Sequence, residues 1–257
     1  MKALYDLSIE PTTWDFILWS CIAKTNGATE VHFGIPSEIA ALKYSADVAW
    51  KRFGNITVPL CTLAELPYVV ASHREGQVFN HRISSLMKLY AENGSISKLP
   101  LLKQAKMPSF VTVTLRDSWR NTHRNSNKET WPKFIKWLEQ RNVNVLVHPE
   151  CESRPIDVMT RMKSYSNAKM NFGVEGGPMG LCTYSDAPYV MICLPCAEST
   201  VSFQDRERHG FPMGSQFPWR TNKQQIVYAP DSLENLTKHY LSTCEEEQCQ
   251  PLLSMAS

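Results

Sequence analysis

Short apolar runs alternate with amphipathic segments along most of this 257-residue chain. The clearest runs are alternating and rich in β-branched residues, FVTVTL at 110–115 and VNVLV at 143–147, and they predict strands. Between them, Trp131, Phe134 and Leu138 recur at helical spacing and predict a helix over residues 128–141 that Ser126 or Asn127 caps. Strands that alternate with helices in this way are typical of a parallel sheet covered on both faces.

The same reasoning extends to the rest of the chain. Further strands are predicted over residues 3–9, 30–35, 68–72, 170–174, 189–194 and 225–228, and further helices from Thr12 to Gly27 and over residues 83–91, 155–166, 178–183 and 232–244. Thr12 and Asp15 have the spacing of a capping box, and Asp231 is the expected cap of the last helix. Residues 3–35 thereby form a β-α-β unit, which implies two parallel strands.

A polar and then basic stretch with two prolines, residues 92–108, is the best linker candidate. It divides the chain into an N-terminal α/β half, residues 1–100, and a C-terminal Rossmann-like half, residues 101–257. The predicted fold class is therefore α/β and Rossmann-like. Two parallel-sheet halves and one doubly wound domain both agree with the pattern.

Charge and composition exclude several classes. The formal net charge is +2, and only one loop is basic. These values argue against nucleic-acid binding, because proteins that bind nucleic acids carry a larger basic surface. The longest uncharged stretches, residues 16–23 and 187–197, are shorter than a membrane helix requires. The first ten residues carry charges in the wrong order for a secretory signal, so we expect a cytoplasmic protein.

Eight cysteines are scattered along the chain, and only Cys193 and Cys196 form a close pair. A thiol redox motif or half of a zinc site would use such a pair. The zinc interpretation lacks a well-spaced second pair, and no helical period follows the motif. Buried, reduced thiols are the favoured interpretation.

Glycine marks the most unusual part of the sequence, since six of the 11 glycines lie between positions 173 and 214. In the run NFGVEGGPMG, residues 171–180, a strand leads into Gly176, Gly177 and Pro178. We expect the two glycines to adopt positive φ, and the helix that starts at Pro178 to direct its positive dipole end at a bound phosphate or carboxylate. Close helix packing is the alternative role for these glycines. Glu175 is a candidate for binding a sugar hydroxyl.

The loop after the 110–115 strand is basic, with six basic and two acidic residues between positions 115 and 136. Arg116, Arg120, Arg124 and His123 could clamp phosphate oxygens. Arg116 is the strongest of these candidates because a strand end fixes its position. A solvated surface loop is the alternative for Arg120 and His123.

Two further segments could contribute to a site. Residues 206–219 contain glycine and aromatic residues, and Phe217 or Trp219 could stack on a base or sugar, although both could simply cover the sheet. Asp15 could act as a general base on an acceptor hydroxyl, although helix capping also explains it.

The Thr-Leu-Arg run at 114–116, the Arg-Asn-Ser-Asn run at 124–127 and the Gly-Val-Glu-Gly-Gly-Pro-Met-Gly run at 173–180 together resemble glycosyltransferases of the GT-B type, and are similar to bacterial proteins of that class. The resemblance covers residues 108–240. It implies that the C-terminal half binds a nucleotide sugar as donor substrate and that the N-terminal half receives the acceptor. It implies no tightly bound metal and no other cofactor. The first half shows no glycine-rich turn and no histidine in an evident catalytic position.

The resemblance also assigns roles. Arg116, Asp15 and Glu175 would be catalytic: Arg116 stabilises the leaving diphosphate, Asp15 is the acceptor-side base and Glu175 orients a sugar hydroxyl. The substrate-binding residues would be Arg120, Arg124, Asn125, Asn127, Gly176, Gly177, Met179, Gly180, Gln216 and Trp219. A protein that binds a nucleotide or another anionic ligand without turnover is the alternative function, and a thiol redox protein based on Cys193 and Cys196 is a second one.

Overall fold

The computed structural model describes residues 1–10, 12–35, 45–72, 74–105, 107–118, 122–150, 157–194, 207–208 and 210–245. Two parallel sheets, each flanked by helices, make up the fold. The predicted α/β, Rossmann-like class with two parallel-sheet halves is therefore confirmed. The division of the chain into two domains at residue 100 stays a prediction.

The first sheet has four strands in the order β3-β2-β1-β4, all parallel. Its strands are β1 (Lys2–Asp6), β2 (Glu30–Gly34), β3 (Tyr68–Ala71) and β4 (Gln77–Val78), and its helices are α1 (Asp15–Thr25), α2 (Ala46–Arg52), α3 (Val58–Leu63) and α4 (Ile83–Asn93). A π-helical turn, Phe53–Thr57, joins α2 to α3. The β-α-β prediction is confirmed, whereas the two-residue β4 is too short to show a period and was not predicted.

The second sheet has five strands in the order β6-β5-β7-β8-β9, also all parallel. Its strands are β5 (Phe110–Arg116), β6 (Asn144–Glu150), β7 (Met170–Val174), β8 (Tyr189–Ile192) and β9 (Gln224–Val227), and its helices are α5 (Thr130–Glu139), α6 (Val158–Asn167), α7 (Gly180–Thr183) and α8 (Leu233–Tyr240). Short 3-10 turns, Thr122–Arg124 and Gly177–Met179, precede α5 and α7, and a π-helical turn, Leu241–Glu245, follows α8.

Two predicted helix caps are wrong. The capping box at Thr12 does not form, because α1 begins at Asp15 and no side chain caps it. Ser232, not Asp231, caps α8 by accepting the Asn235 amide at 3.2 Å. The Asp231 carboxylate instead accepts the Trp131 indole N–H at 2.7 Å, which ties α8 to α5.

The segment predicted as a linker contacts both halves. The Ser97 amide donates to the Thr25 hydroxyl of the first half at 3.0 Å. In the second half, the Leu99 amide donates to the Tyr184 carbonyl at 2.7 Å, and the Lys98 ammonium lies 2.6 Å from the Asp186 carboxylate. One apolar core includes residues of both halves, among them Phe16 and Ile17 of the first half and Tyr189 of the second.

Candidate functional site

The start of α1 meets the turn after β7. A Cβ atom added to Gly177 would lie 2.4 Å from two ring atoms of Trp14, closer than real side chains approach. A Cβ atom at Gly180 is less restricted, because the Ile17 Cδ1 atom would lie 3.2 Å from it. The absence of a side chain at Gly177 thus lets Trp14 pack against the turn after β7. Close packing is the alternative role that the sequence analysis gave for these glycines.

The predicted backbone conformation of this turn is wrong. Gly176 has φ −166° and ψ 169°, which is extended backbone, and neither Gly176 nor Gly177 is among the residues with positive φ. The helix after Pro178 is also short: a 3-10 turn, Gly177–Met179, leads directly into the four residues of α7. Its dipole is correspondingly small, so an anion here would depend on individual amides more than on the helix.

The amides of Gly176 and Gly177 stand ahead of the first hydrogen bond inside this turn, which the Met179 amide makes to the Gly176 carbonyl at 3.1 Å. Met179 itself is fully buried. Its Sδ atom would lie 2.9 Å from a Cβ atom on Gly173, so its side chain fills the space beneath the strand. The structure therefore places Met179 in the core and not where a substrate would contact its side chain.

Arg124 brings the basic loop to the glycine turn. Its Nη2 atom donates to the Glu175 carbonyl at 3.0 Å. Arg116 lies half-buried at the end of β5, and its amide donates to the Ser126 hydroxyl at 2.9 Å. The structure thus joins Arg124 to Glu175, whereas Arg120 lies outside the described residues.

The two asparagines of this loop have structural partners. The Asn125 side chain accepts from the Ser118 amide and donates to the Ser118 carbonyl, both at 2.9 Å, which closes the loop. The Asn127 side chain accepts from the amides of Glu129 and Thr130 at 2.9 and 3.0 Å, so the prediction that Asn127 caps α5 is confirmed. Substrate binding by these two side chains stays a prediction, and it would compete with these hydrogen bonds.

Two carboxylates affect the pKa of Tyr184. Burial raises the pKa of Tyr184 well above its ordinary value, and among the nearby groups Asp15 and Glu175 raise it further. Asp15 comes from the first half and Glu175 from the second. Asp15 is exposed, and it accepts a hydrogen bond from the Thr13 hydroxyl at 2.8 Å. The Trp14–Gly177 contact places the residue before Asp15 against the turn that follows Glu175, the two acids that the sequence analysis assigned to acceptor and donor.

The carboxyl edge of the first sheet contains a histidine that the sequence analysis missed. His81 follows β4, and its Nδ1 atom lies 2.7 Å from the Glu10 carboxylate in the loop after β1. The signal was hidden because β4 has only two residues. His81 therefore adds a histidine at the carboxyl edge of the first sheet, the edge at which parallel sheets bind ligands, and a catalytic role for it is a hypothesis.

The aromatic loop does not form an exposed binding lip. Trp219 is 4% exposed, and its indole N–H donates to the Thr183 carbonyl at 3.1 Å. Phe217 stacks on it with ring centroids 5.0 Å apart. The Gln216 amide accepts from the Ile226 N–H and donates to the Ile226 carbonyl, both at 2.8 Å, so it extends the pairing of β9. The prediction that Trp219 stacks on a ligand is wrong as to exposure, because the ring lies in the core.

The thiols of the described residues are buried. Burial raises the pKa of Cys21 and of Cys61 to about 12, so both stay protonated and unreactive at neutral pH. Cys193 is buried as well, and its thiol lies 3.5 Å from the Glu175 carboxylate. Cys196 lies outside the described residues, so the redox interpretation of this pair is not decided.

The part of the chain that the structure describes contains neither a metal-binding cluster nor a membrane-spanning helix. Among these residues, no group of three or more His, Cys, Asp or Glu side chains could hold a metal ion. The helices that are described there are too short or too polar to cross a bilayer.

Solved structures similar to this chain include heptosyltransferases. The heptosyltransferase WaaC of E. coli with ADP-2-deoxy-2-fluoro heptose matches over 96% of this chain and 100% of its own, at 14% identity and TM-score 0.47. WaaC with ADP gives 14% identity and TM-score 0.48 over 96% of this chain and 99% of its own.

The dodecameric iron-containing heptosyltransferase TibC, in complex with ADP-D-beta-D-heptose, matches over 91% of this chain at 10% identity and TM-score 0.47. This chain spans 65% of the TibC chain. No family model and no curated protein sequence matches the chain.

Proposed function

We propose that this protein transfers a sugar from a nucleotide sugar to an acceptor hydroxyl at the junction of its two sheets. The observation that carries the proposal is the contact of Trp14 with Gly177, which places the residue before Asp15 against the turn that follows Glu175. In open parallel sheets, ligands bind outside the carboxyl ends of the strands. Here the loop after β1 contacts the turn after β7, so one edge can hold a donor and the other an acceptor.

The second half would bind the donor. Arg124 and Arg116, with the amides of Gly176 and Gly177, provide positive charge and hydrogen-bond donors for a diphosphate. These groups would stabilise the negative charge that develops on the leaving nucleoside diphosphate. Glu175, next to Gly176, would accept a hydrogen bond from a hydroxyl of the transferred sugar.

The first half would supply the base. Asp15 is exposed and the Thr13 hydroxyl orients its carboxylate, so it can accept the proton of an acceptor hydroxyl as that oxygen attacks the sugar. The His81–Glu10 pair lies on the same sheet edge and is a second group that could take this proton. The proton leaves the acceptor, the new glycosidic bond forms, and the bond to the diphosphate oxygen breaks.

A thermal-shift screen against nucleoside diphosphates and nucleotide sugars tests the donor part of the proposal. We expect one nucleotide class to raise the melting temperature, and a nucleotide sugar of that class to lose its sugar in the presence of a suitable acceptor. If binding occurs and no transfer follows with any acceptor, the alternative of a non-catalytic nucleotide-binding protein is favoured. No stabilisation by any of these compounds would contradict the proposal.

A further inference from the structure

Helix α6 carries a fully buried arginine. Arg161 is 0% exposed, its Nη1 atom donates to the Tyr165 hydroxyl at 2.7 Å, and its Nη2 atom donates to the Pro149 carbonyl at 3.4 Å. The Nε atom is buried and has no hydrogen-bond partner within the described part of the chain. A guanidinium has five N–H donors in a fixed plane, so this one retains capacity for an acceptor on its Nε side.

The charge of Arg161 is not balanced by its neighbours. No ion pair joins it to a carboxylate among the residues that the structure describes. Burial, and then the charge of Arg161, lower the pKa of His148 to about 4, so this imidazole is neutral at pH 7. Burial raises the pKa of Tyr165 to about 12, so the phenol is neutral too. Among the described residues, no carboxylate forms an ion pair with Arg161 that would compensate its positive charge.

An uncompensated charge inside a protein is costly, because burial removes its hydration. Proteins usually pair such a charge with an anion of the chain, a metal site or a ligand. A hydrophobic residue of similar volume at this position would avoid the cost altogether. The combination of full burial, a retained charge and an unused donor thus points to an anion that is bound during function.

The position of Arg161 indicates where this anion would bind. Pro149 lies next to the last residue of β6, and the Tyr165 hydroxyl also bonds the Thr114 hydroxyl of β5 at 2.6 Å. A Cβ atom on Gly173 of β7 would lie 3.1 Å from the Thr114 Cβ atom. The guanidinium therefore lies near the carboxyl ends of three adjacent strands, the edge at which parallel sheets bind ligands.

We propose that Arg161 is the buried cation of a phosphate-binding site at this edge of the second sheet. Its ligand is a phosphoryl group, which accepts hydrogen bonds from the guanidinium through its anionic oxygens. The group belongs either to the nucleotide sugar or to free phosphate. The first source rests on the proposed function, whereas the site itself does not.

Thermal unfolding in phosphate and in chloride at equal ionic strength tests the site. We expect inorganic phosphate, at about 100 times its Kd, to raise the wild-type melting temperature by about 5 °C or more. Arg161→Met should melt in chloride at the wild-type temperature or above it, and should not respond to phosphate. Lys163→Met removes an exposed cation from the same helix and should keep the full response. If Arg161→Met does not fold, Arg161→Lys should bind phosphate at least about tenfold more weakly than wild type.

The same variants separate the two sources of the phosphoryl group. Loss of the response to both phosphate and nucleoside diphosphates in Arg161→Met assigns the donor phosphate to the site. Two results support a site for free phosphate. In the first, Arg161→Met loses the phosphate response but still binds nucleotide. In the second, Arg161→Met loses the phosphate response and the wild type does not bind nucleotide at all. Equal responses of wild type and Arg161→Met to every ligand would overturn the site and leave the proposed function standing. The site would also be overturned if phosphate does not stabilise the wild type and Glu152→Gln lowers the melting temperature. That result would indicate that the Glu152 carboxylate balances the charge of Arg161.

Discussion

The carboxyl edges of the two sheets carry different ionisable groups. On the first edge, Asp6 ends β1 and Glu10 and Asp15 follow it; Arg74 pairs with Asp6 at 3.2 Å, and His81 lies 2.7 Å from Glu10. On the second edge, Arg116, Arg124 and Arg161 surround the strand ends, and Glu175 is the acid that belongs to the junction. In the proposed function, the first edge therefore receives the acceptor and the second edge binds the anionic part of the donor.

This difference separates two tasks that sugar transfer requires. An anionic leaving group needs cations and amides, and an attacking hydroxyl needs a base that those cations do not neutralise. The Trp14–Gly177 contact keeps the two faces together while their loops differ. The comparison therefore predicts that substitutions on the first edge affect turnover, whereas those on the second edge affect binding.

The largest effect should come from the base. Asp15→Asn keeps the shape of the side chain and removes its proton affinity, so we expect transfer to slow by about 10²- to 10⁴-fold while nucleotide binding is unchanged. Release of nucleoside diphosphate in the presence of acceptor measures this. Asp47→Asn, the same change in the first turn of α2, is the control and should leave the rate unaltered. A fully active Asp15→Asn variant would move the base elsewhere, with His81→Gln as the next variant to assay.

The contact between the edges can be broken sterically. Gly177→Ala places a methyl group 2.4 Å from the Trp14 ring, and we expect it to lower the free energy of unfolding by about 3 kcal/mol. Gly54→Ala is the matched control, because nothing lies within 4 Å of the added atom. Urea denaturation of both variants, and of Gly177→Ala combined with Trp14→Gly, measures the coupling. Equal stability of the two alanine variants would show that the contact is not tight.

The buried face of the second half predicts a pH dependence. The pKa of His148 in the folded chain, about 4, lies below its ordinary value of 6.5, so the unfolded chain binds this proton first as the pH falls. Stability from this group is complete above pH 6.5 and is lost progressively down to about pH 4, by up to about 3 kcal/mol. His148→Gln should flatten the urea midpoint over this range.

The exposed His123 provides the control for this measurement. His123→Gln should keep the slope of the wild-type profile. A wild-type profile that is already flat between pH 4 and 6.5 would contradict the buried, neutral state of His148.

The smallest effect should be on donor affinity. Arg124→Met removes one charged hydrogen-bond donor beside Glu175, so we expect nucleoside diphosphate to bind about ten- to one hundredfold more weakly. Lys128→Met removes a cation of the same loop whose exposed partner is Asp117, at 3.3 Å, and should bind as wild type does. Equal losses in the two variants would indicate general charge attraction and no specific contact.

The sequence predicted the sheets better than it predicted their edges. The alternating run at 110–115 and the run at 170–174 fall on β5 and β7, because side-chain period and burial are local properties of a strand. The burial of Trp219 and the contact of Gly177 with Trp14 depend on residues far apart in the chain, which no local pattern contains. Arg161 was missed for the same reason, since a lone arginine on a helix is usually solvated.

The most direct test of the account is a calorimetric titration of the nucleotide identified by the screen into wild type, Arg124→Met and Asp15→Asn. The account predicts that wild type and Asp15→Asn bind with the same Kd, while Arg124→Met binds at least about tenfold more weakly. Binding that depends on Asp15 and not on Arg124 would contradict the assignment of donor and base to the two sheet edges.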